Sequence, residues 1–150
     1  MSSSGRAPEI VVAEPGAPTV DAVRRVLHRL TEEEGVRAWQ IAVLSGSTAS
    51  KSAVWAQRTF GNQVLWNGAI DERGSSLGLA ADAVPDEPSD VVMFETIRRF
   101  KGLERDVVIL CELPPDAVRL DQLLYTALTR ATTYLVVITP PALATRFTGR

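Results

Sequence analysis

Ile41-Ala42-Val43-Leu44, an unbroken apolar run closed by Ser45-Gly46, has the pattern of a strand buried on both faces of a parallel sheet. Working outward, the residues that follow predict a helix over 49–60 that stops at Gly61-Asn62, then a weaker strand at Val64-Leu65-Trp66. Upstream, Val20, Val23, Val26, Leu27 and Leu30 recur at helical spacing, with Asp21 in the first turn. Gly35 is the stop, after Glu32-Glu33-Glu34, which reads as a solvated helix end. Before that helix, Ile10-Val11-Val12 is a β-type run, and Pro15, Gly16 and Pro18 interrupt regular structure. Three further strands are predicted at Val91-Val92-Met93-Phe94, Val107-Val108-Ile109-Leu110 and Leu135-Val136-Val137-Ile138. The last follows a helix whose apolar stripe is Leu120, Leu123, Leu124, Ala127, Leu128 and Ala131. Between 67 and 90 the periodicity fails, and six carboxylates face only Arg73, so this stretch reads as loop with a short helix near 77–81. Strands alternating with helices imply an α/β sandwich with a mainly parallel sheet. Ligands of such sheets sit beyond the carboxyl ends of the strands.

Length and composition narrow the classes. The chain has 150 residues, enough for one domain with a real core, and 45% hydrophobic against 23% charged residues is a globular balance. Residues 1–8 are flexible in composition, and the folded domain is expected over 9–150. Sixteen Lys and Arg against 18 Asp and Glu leave a net charge of −2, so any contact with a polyanion has to be local. No apolar run approaches membrane-spanning length and the start has no secretory pattern, so the chain reads as cytoplasmic with no membrane partner. One cysteine, Cys111, and one histidine, His28, exclude a disulfide and a His- or Cys-rich metal site. No metal ligand is assigned. His28 reads as a surface helix residue and Cys111 as a buried strand-end thiol. Phe94 and Phe100 read as core, Tyr125 as structural, and Trp39, Trp55 and Trp66 as packing.

Two loops carry chemistry. Ser45-Gly46-Ser47-Thr48-Ala49-Ser50-Lys51-Ser52 follows a buried strand, the setting of a phosphate-binding loop, but has serines where G-x-x-x-x-G-K-[ST] requires its two glycines. Without them the backbone N–H groups are not free to curl around a phosphate. The loop reads as a Ser/Thr-rich helix cap with a surface Lys51. Glu95 to Asp106 is more specific: Arg98, Arg99, Lys101 and Arg105 make the densest basic cluster of an acidic chain. Thr96 at the strand end offers a hydroxyl for a turn or a phosphate, Gly102 allows close approach of backbone to ligand, and Glu104 supplies an acceptor.

Thr96-Ile-Arg-Arg-Phe-Lys-Gly-Leu-Glu-Arg-Asp-Val-Val-Ile-Leu110 resembles motif V of the UvrD/Rep-type superfamily 1 helicases, T-[IL]-H-x-x-K-G-L-E-[FW]-x-x-V. Leu123-Leu124-Tyr125-Thr126-Ala127-Leu128-Thr129-Arg130-Ala131 resembles their motif VI, L-x-Y-V-A-[LI]-T-R-A, and Gln40-Ile41-Ala42-Val43-Leu44 is similar to a strand opening their second RecA-like domain. The resemblance covers about residues 10–138. It implies a RecA-like, P-loop NTPase-type three-layer sandwich without a large inserted subdomain. It also implies that Glu104 contacts the nucleotide ribose with Gly102 permitting the approach, and that Arg130 is an arginine finger on the γ-phosphate. Thr96 and Arg98, the latter standing where the family has His, are implied to touch single-stranded DNA, with Arg99 beside them.

The same resemblance implies what this chain leaves to another. The family's first RecA-like domain carries the phosphate loop, the Mg-binding Asp-Glu pair and a γ-phosphate-sensing Gln, and none of these is found here. ATP with Mg2+ is therefore expected to be bound mainly by a first RecA-like domain of the same protein, and the isolated chain is not expected to hydrolyse it. The alternatives are a catalytically inert helicase-like α/β interaction module and a degenerate P-loop phosphotransferase built on Lys51 and Ser52.

Overall fold

The computed structural model describes residues 7–96, 104–114 and 117–148. Their strands, in chain order, are β1 (Glu9–Val12), β2 (Ile41–Ser45), β3 (Thr59–Phe60), β4 (Gln63–Trp66), β5 (Val92–Thr96), β6 (Arg105–Cys111) and β7 (Ala131–Thr139). The helices are α1 (Ala17–His28), α2 (Ala53–Gln57), α3 (Ala117–Arg130) and α4 (Pro141–Thr148). Among the described residues the strands form one seven-stranded sheet in the order β1-β7-β6-β2-β5-β4-β3, parallel throughout except for the β3–β4 hairpin.

β2 is buried along its whole length, as its unbroken apolar run requires. Its alternate residues feed two cores. Ile41 and Val43 join Val107, Ile109, Val136 and Phe94 beneath α1 and α2, where Val23, Leu27 and Trp55 pack. Ala42 and Leu44 join Val108, Leu110, Leu135 and Val137 beneath α3, represented by Ala127 and Leu124. Helices thus cover both faces, and the three-layer α/β sandwich expected of a RecA-like domain is what the chain adopts. No described helix is long and apolar enough to cross a membrane.

Several boundaries differ from the sequence expectation. α1 begins earlier, because Pro18 lies at its amino end, where a missing N–H costs nothing. Asp21 is therefore past the first turn and pairs with Arg24 at 2.6 Å. α1 runs on into a π-helical turn, Arg29–Glu33, in which the Thr31 hydroxyl donates to the Leu27 carbonyl at 2.7 Å. There Arg29 makes two bonds to the Glu9 carboxylate, 2.7 and 2.8 Å, clamping β1 to the end of α1. The Tyr134 hydroxyl on β7 donates to the same carboxylate.

The single helix expected over 49–60 is instead a 3-10 turn (Ala49–Lys51), the short α2, and the first strand of a hairpin. Arg58 at φ +60° ends α2, and its guanidinium lies over the Trp55 ring at 4.1 Å. The loop between β4 and β5 carries its short helical turn at Ala81–Ala83, not at 77–81. α3 and β7 follow the stripe and the run that announce them; the side chains of Leu123 and Leu128 lie outside the described residues, as does Phe100. Trp55 and Phe94 stack in the core with centroids 5.0 Å apart, and His28 is exposed. Tyr125, read as structural, is 71% exposed on α3.

Candidate nucleotide edge at the amino ends of the strands

α3 runs without a loop into β7, so Arg130, its last residue, stands at the amino end of that strand. Glu104 immediately precedes β6. Arg105 of β6 pairs in register with Ala131 of β7, which sets Glu104 and Arg130 side by side at the same edge of the sheet. Adjacent strands lie about 4.8 Å apart, so the two backbones are neighbours. Glu104 is exposed, and only its backbone oxygen has a described bond, from Arg105 at 3.0 Å. Arg130 is half-buried, and its Nε has no hydrogen-bond partner among the described residues. A buried guanidinium N–H without an acceptor costs free energy, and an incoming anion supplies the missing acceptor.

This edge is not where the general rule for parallel sheets points. Ligands were expected at the carboxyl ends, and there the structure holds an internal anion instead. Glu112, just past β6, takes φ +56° and turns its carboxylate under the loop of residues 45–52. It accepts from the Ser45 hydroxyl at 2.7 Å, the Ser52 hydroxyl at 2.5 Å and the Ala53 backbone N–H at 2.9 Å. The Ser52 hydroxyl in turn accepts from the Trp55 N–H at 3.0 Å. Gly46 lets this turn close, since a Cβ there would lie 2.6 Å from the Glu112 carbonyl oxygen. The donors a phosphate would need are already taken, while Lys51 points outward, exposed. This is the physical ground for setting aside a phosphotransferase built on that loop.

Thr96 ends β5 at the carboxyl edge, level with Ser45 and Cys111, and its backbone N–H donates to Glu95 Oε2 at 3.0 Å. Seven residue steps along β6 and the residue before it separate that edge from Glu104, about 23 Å at strand rise. Thr96 and Glu104, the described residues at either end of this part of motif V, therefore lie at opposite edges of the sheet. Gly102, Arg98 and Arg99 lie outside the described residues.

Sequence reading missed Trp39. It was assigned to packing, yet it is 52% exposed on a 3-10 turn, Ala38–Gln40, that leads into β2 at the same amino edge. The turn is held by Gln40, whose Oε1 accepts from the Arg37 N–H at 2.9 Å and whose Nε2 donates to Asp106 at 2.7 Å. Trp39, Gln40, Glu87, Ser89, Glu104 and Asp106 line an open groove of about 380 Å³. Arg105 pairs with Glu87 in its floor, and the Thr132 hydroxyl donates to Asp106 at 3.0 Å. No helical periodicity marks an isolated Trp before a strand, so nothing in the sequence separated it from the two packed tryptophans.

Comparison with known proteins bears on the stretch that carries these features. Residues 92–138 match the UvrD-like helicase C-terminal domain family. The segment holds both motif stretches, Glu104 and Arg130 among them, so the resemblance read from motifs V and VI is upheld. It spans less than half of the chain. Among solved structures, the UvrD-like segment and its surroundings are similar to the C-terminal domain of a possible DNA helicase from Lactobacillus plantarum WCFS1. The TM-score is 0.57 at 23% identity, over 93% of this chain and 80% of that one, a likeness of fold. No curated protein matches the chain.

Proposed function

We propose that this chain is the second RecA-like domain of an ATP-dependent superfamily 1 DNA helicase. In this reading it supplies Arg130 to a composite ATP site shared with a first RecA-like domain of the same protein, and contacts single-stranded DNA through Thr96, Arg98 and Arg99. The observation that carries the reading is the adjacency of Glu104 and Arg130 at one sheet edge, with the Arg130 Nε buried and lacking a partner among the described residues. The donor set fits a nucleotide: an exposed carboxylate accepts from ribose hydroxyls, and a guanidinium donates to phosphate oxygens. Among the described residues no three His, Cys, Asp or Glu side chains converge as a metal site. The reading assigns Mg2+ and the phosphate loop to the first domain because the family resemblance implies it.

Arg130 then neutralises charge that develops on the phosphoryl group during transfer, the role in which such arginines matter most. In the two-domain protein, Arg130→Ala is expected to lower ATP turnover by roughly a thousandfold or more while single-strand affinity is kept. Thermal melting of the variant checks that the fold survives. Glu104→Gln is expected to raise the KM for ATP more than it lowers kcat, as loss of a ribose contact requires. Turnover unchanged in Arg130→Ala removes the arginine from the site and the reading with it.

A further inference from the structure

We infer that Trp39 is the platform on which the base of the nucleotide stacks. The inference rests on the reading of Glu104 and Arg130 as nucleotide contacts, and it adds where the base lies and in which direction the nucleotide runs. Ile41 of β2 pairs with Val107 of β6, and Arg105 of β6 pairs with Ala131 of β7. Trp39, on the 3-10 turn that leads into β2, lines one groove with Glu104, Arg105 and Asp106. Arg130, Glu104 and Trp39 therefore stand in a row across the amino ends of three neighbouring strands. At about 4.8 Å per strand the row is about 10 Å long at the backbone, and the side chains extend it.

The chemistry along the row is ordered. A guanidinium at one end suits phosphate, a carboxylate in the middle suits the ribose hydroxyls, and a half-exposed indole at the other end offers a π-face for a base. Charge fixes the direction. The groove around Trp39 carries Glu87, Glu104 and Asp106 against Arg105 alone, so it repels phosphates and accepts a neutral nucleoside. Its volume of about 380 Å³ lies within the range of small-ligand pockets. The turn that carries the indole is also fixed before binding, since Gln40 ties it to Arg37 and to Asp106, so stacking forfeits little backbone freedom.

The test uses the indole N–H signals of the chain in two-dimensional 15N NMR. There are three tryptophans, and the signal of Trp39 is assigned by its loss in Trp39→Phe, a change at an exposed position. Trp55, whose Nε1 donates to the Asp71 carbonyl at 3.1 Å, is an internal control. Millimolar adenosine and ATP are each expected to move the Trp39 signal and leave that of Trp55 in place, whereas inorganic tripolyphosphate moves the Arg130 backbone amide and not Trp39. Trp39→Ala is expected to weaken ATP binding, followed at the Glu104 and Arg130 amides, by roughly five- to a hundredfold, the range for one base on an aromatic ring. If ATP moves Glu104 and Arg130 but leaves Trp39 still, the platform is overturned and the nucleotide edge stands. If adenosine moves neither Trp39 nor Glu104, the platform is overturned, while the reading of Arg130 stands or falls by the ATP turnover of Arg130→Ala in the two-domain protein. If tripolyphosphate shifts Trp39 as adenosine does, the direction along the row is wrong and the inference is overturned.

Discussion

Glu112 adopts a left-handed backbone conformation that costs a non-glycine residue on the order of 1–3 kcal/mol, and its carboxylate recovers this through two hydroxyl donors and a helix-terminal N–H. Removing the carboxylate leaves those donors facing each other without an acceptor. Glu112→Ala is expected to lower unfolding free energy by about 2–4 kcal/mol with little change in m-value, read by urea denaturation. Lys51→Ala, on the same loop but exposed, is expected to change neither stability nor nucleotide affinity. One residue before Glu112, Cys111 is buried, and desolvation pushes its thiol well above the usual range, with the neighbouring Glu112 charge adding to the effect. The reactive thiolate is therefore suppressed in the folded state. Labelling with a thiol reagent at mildly alkaline pH should be slow in the native protein and should become fast on unfolding; rapid native labelling would contradict the burial. The role of Cys111 was legible from an apolar strand. That of Glu112 was not, because a single carboxylate after a strand carries no signal of the loop it turns under.

At the level of elements, what could be read from sequence was what depends on an apolar pattern. β2, β6 and β7 each announce themselves as continuous runs, and α3 by its stripe. The region from 49 to 60 was misread because Val54, Trp55 and Phe60 supply enough apolar spacing for a helix, while the break depends on the positive φ of Arg58. The π-helical turn after α1 escaped for a similar reason: it keeps Leu30 buried, as a plain α-helix would, and differs in how Arg29 is turned toward Glu9. Arg29 has its pKa raised, first by the hydrogen bond to Glu9, against the desolvation that lowers it. A cation whose pKa is raised on folding stabilises below its unfolded pKa and loses that contribution only as pH rises through the folded value. The arginine side of the clamp is thus constant across neutral pH. Arg29→Ala is expected to cost about 2 kcal/mol by calorimetry or denaturation, because β1 is then held to α1 only through the core.

For the whole molecule, Thr96 lies at one edge of the sheet and Glu104 and Arg130 at the opposite one. The motifs made the fold and the family resemblance legible, yet residue spacing cannot say that Thr96 and Glu104 stand at opposite edges of the sheet. With Thr96 and Glu104 at least about 23 Å apart, nucleotide and strand contacts cannot share a side-chain contact. Coupling in the proposed helicase has to pass through displacement of the entire layered body. A separable outcome follows. Arg98→Ala and Arg99→Ala are each expected to lower single-strand affinity and to reduce the slope of log affinity against log salt by about 0.7, one phosphate contact each. Neither change should alter the response of Trp39 to adenosine. An Arg98 variant that abolished both would show that the two edges are not independent.

The carboxylate beneath the serine-rich loop also bears on what this scaffold can be turned into. Restoring glycine at Ser45 and Ser50 would recreate the spelling of a nucleotide-gripping loop, but the position the triphosphate needs would still be filled by the protein's own acidic side chain. An engineer seeking a self-sufficient kinase from this chain would have to evict that tenant first, and would remove a pillar of the architecture in doing so.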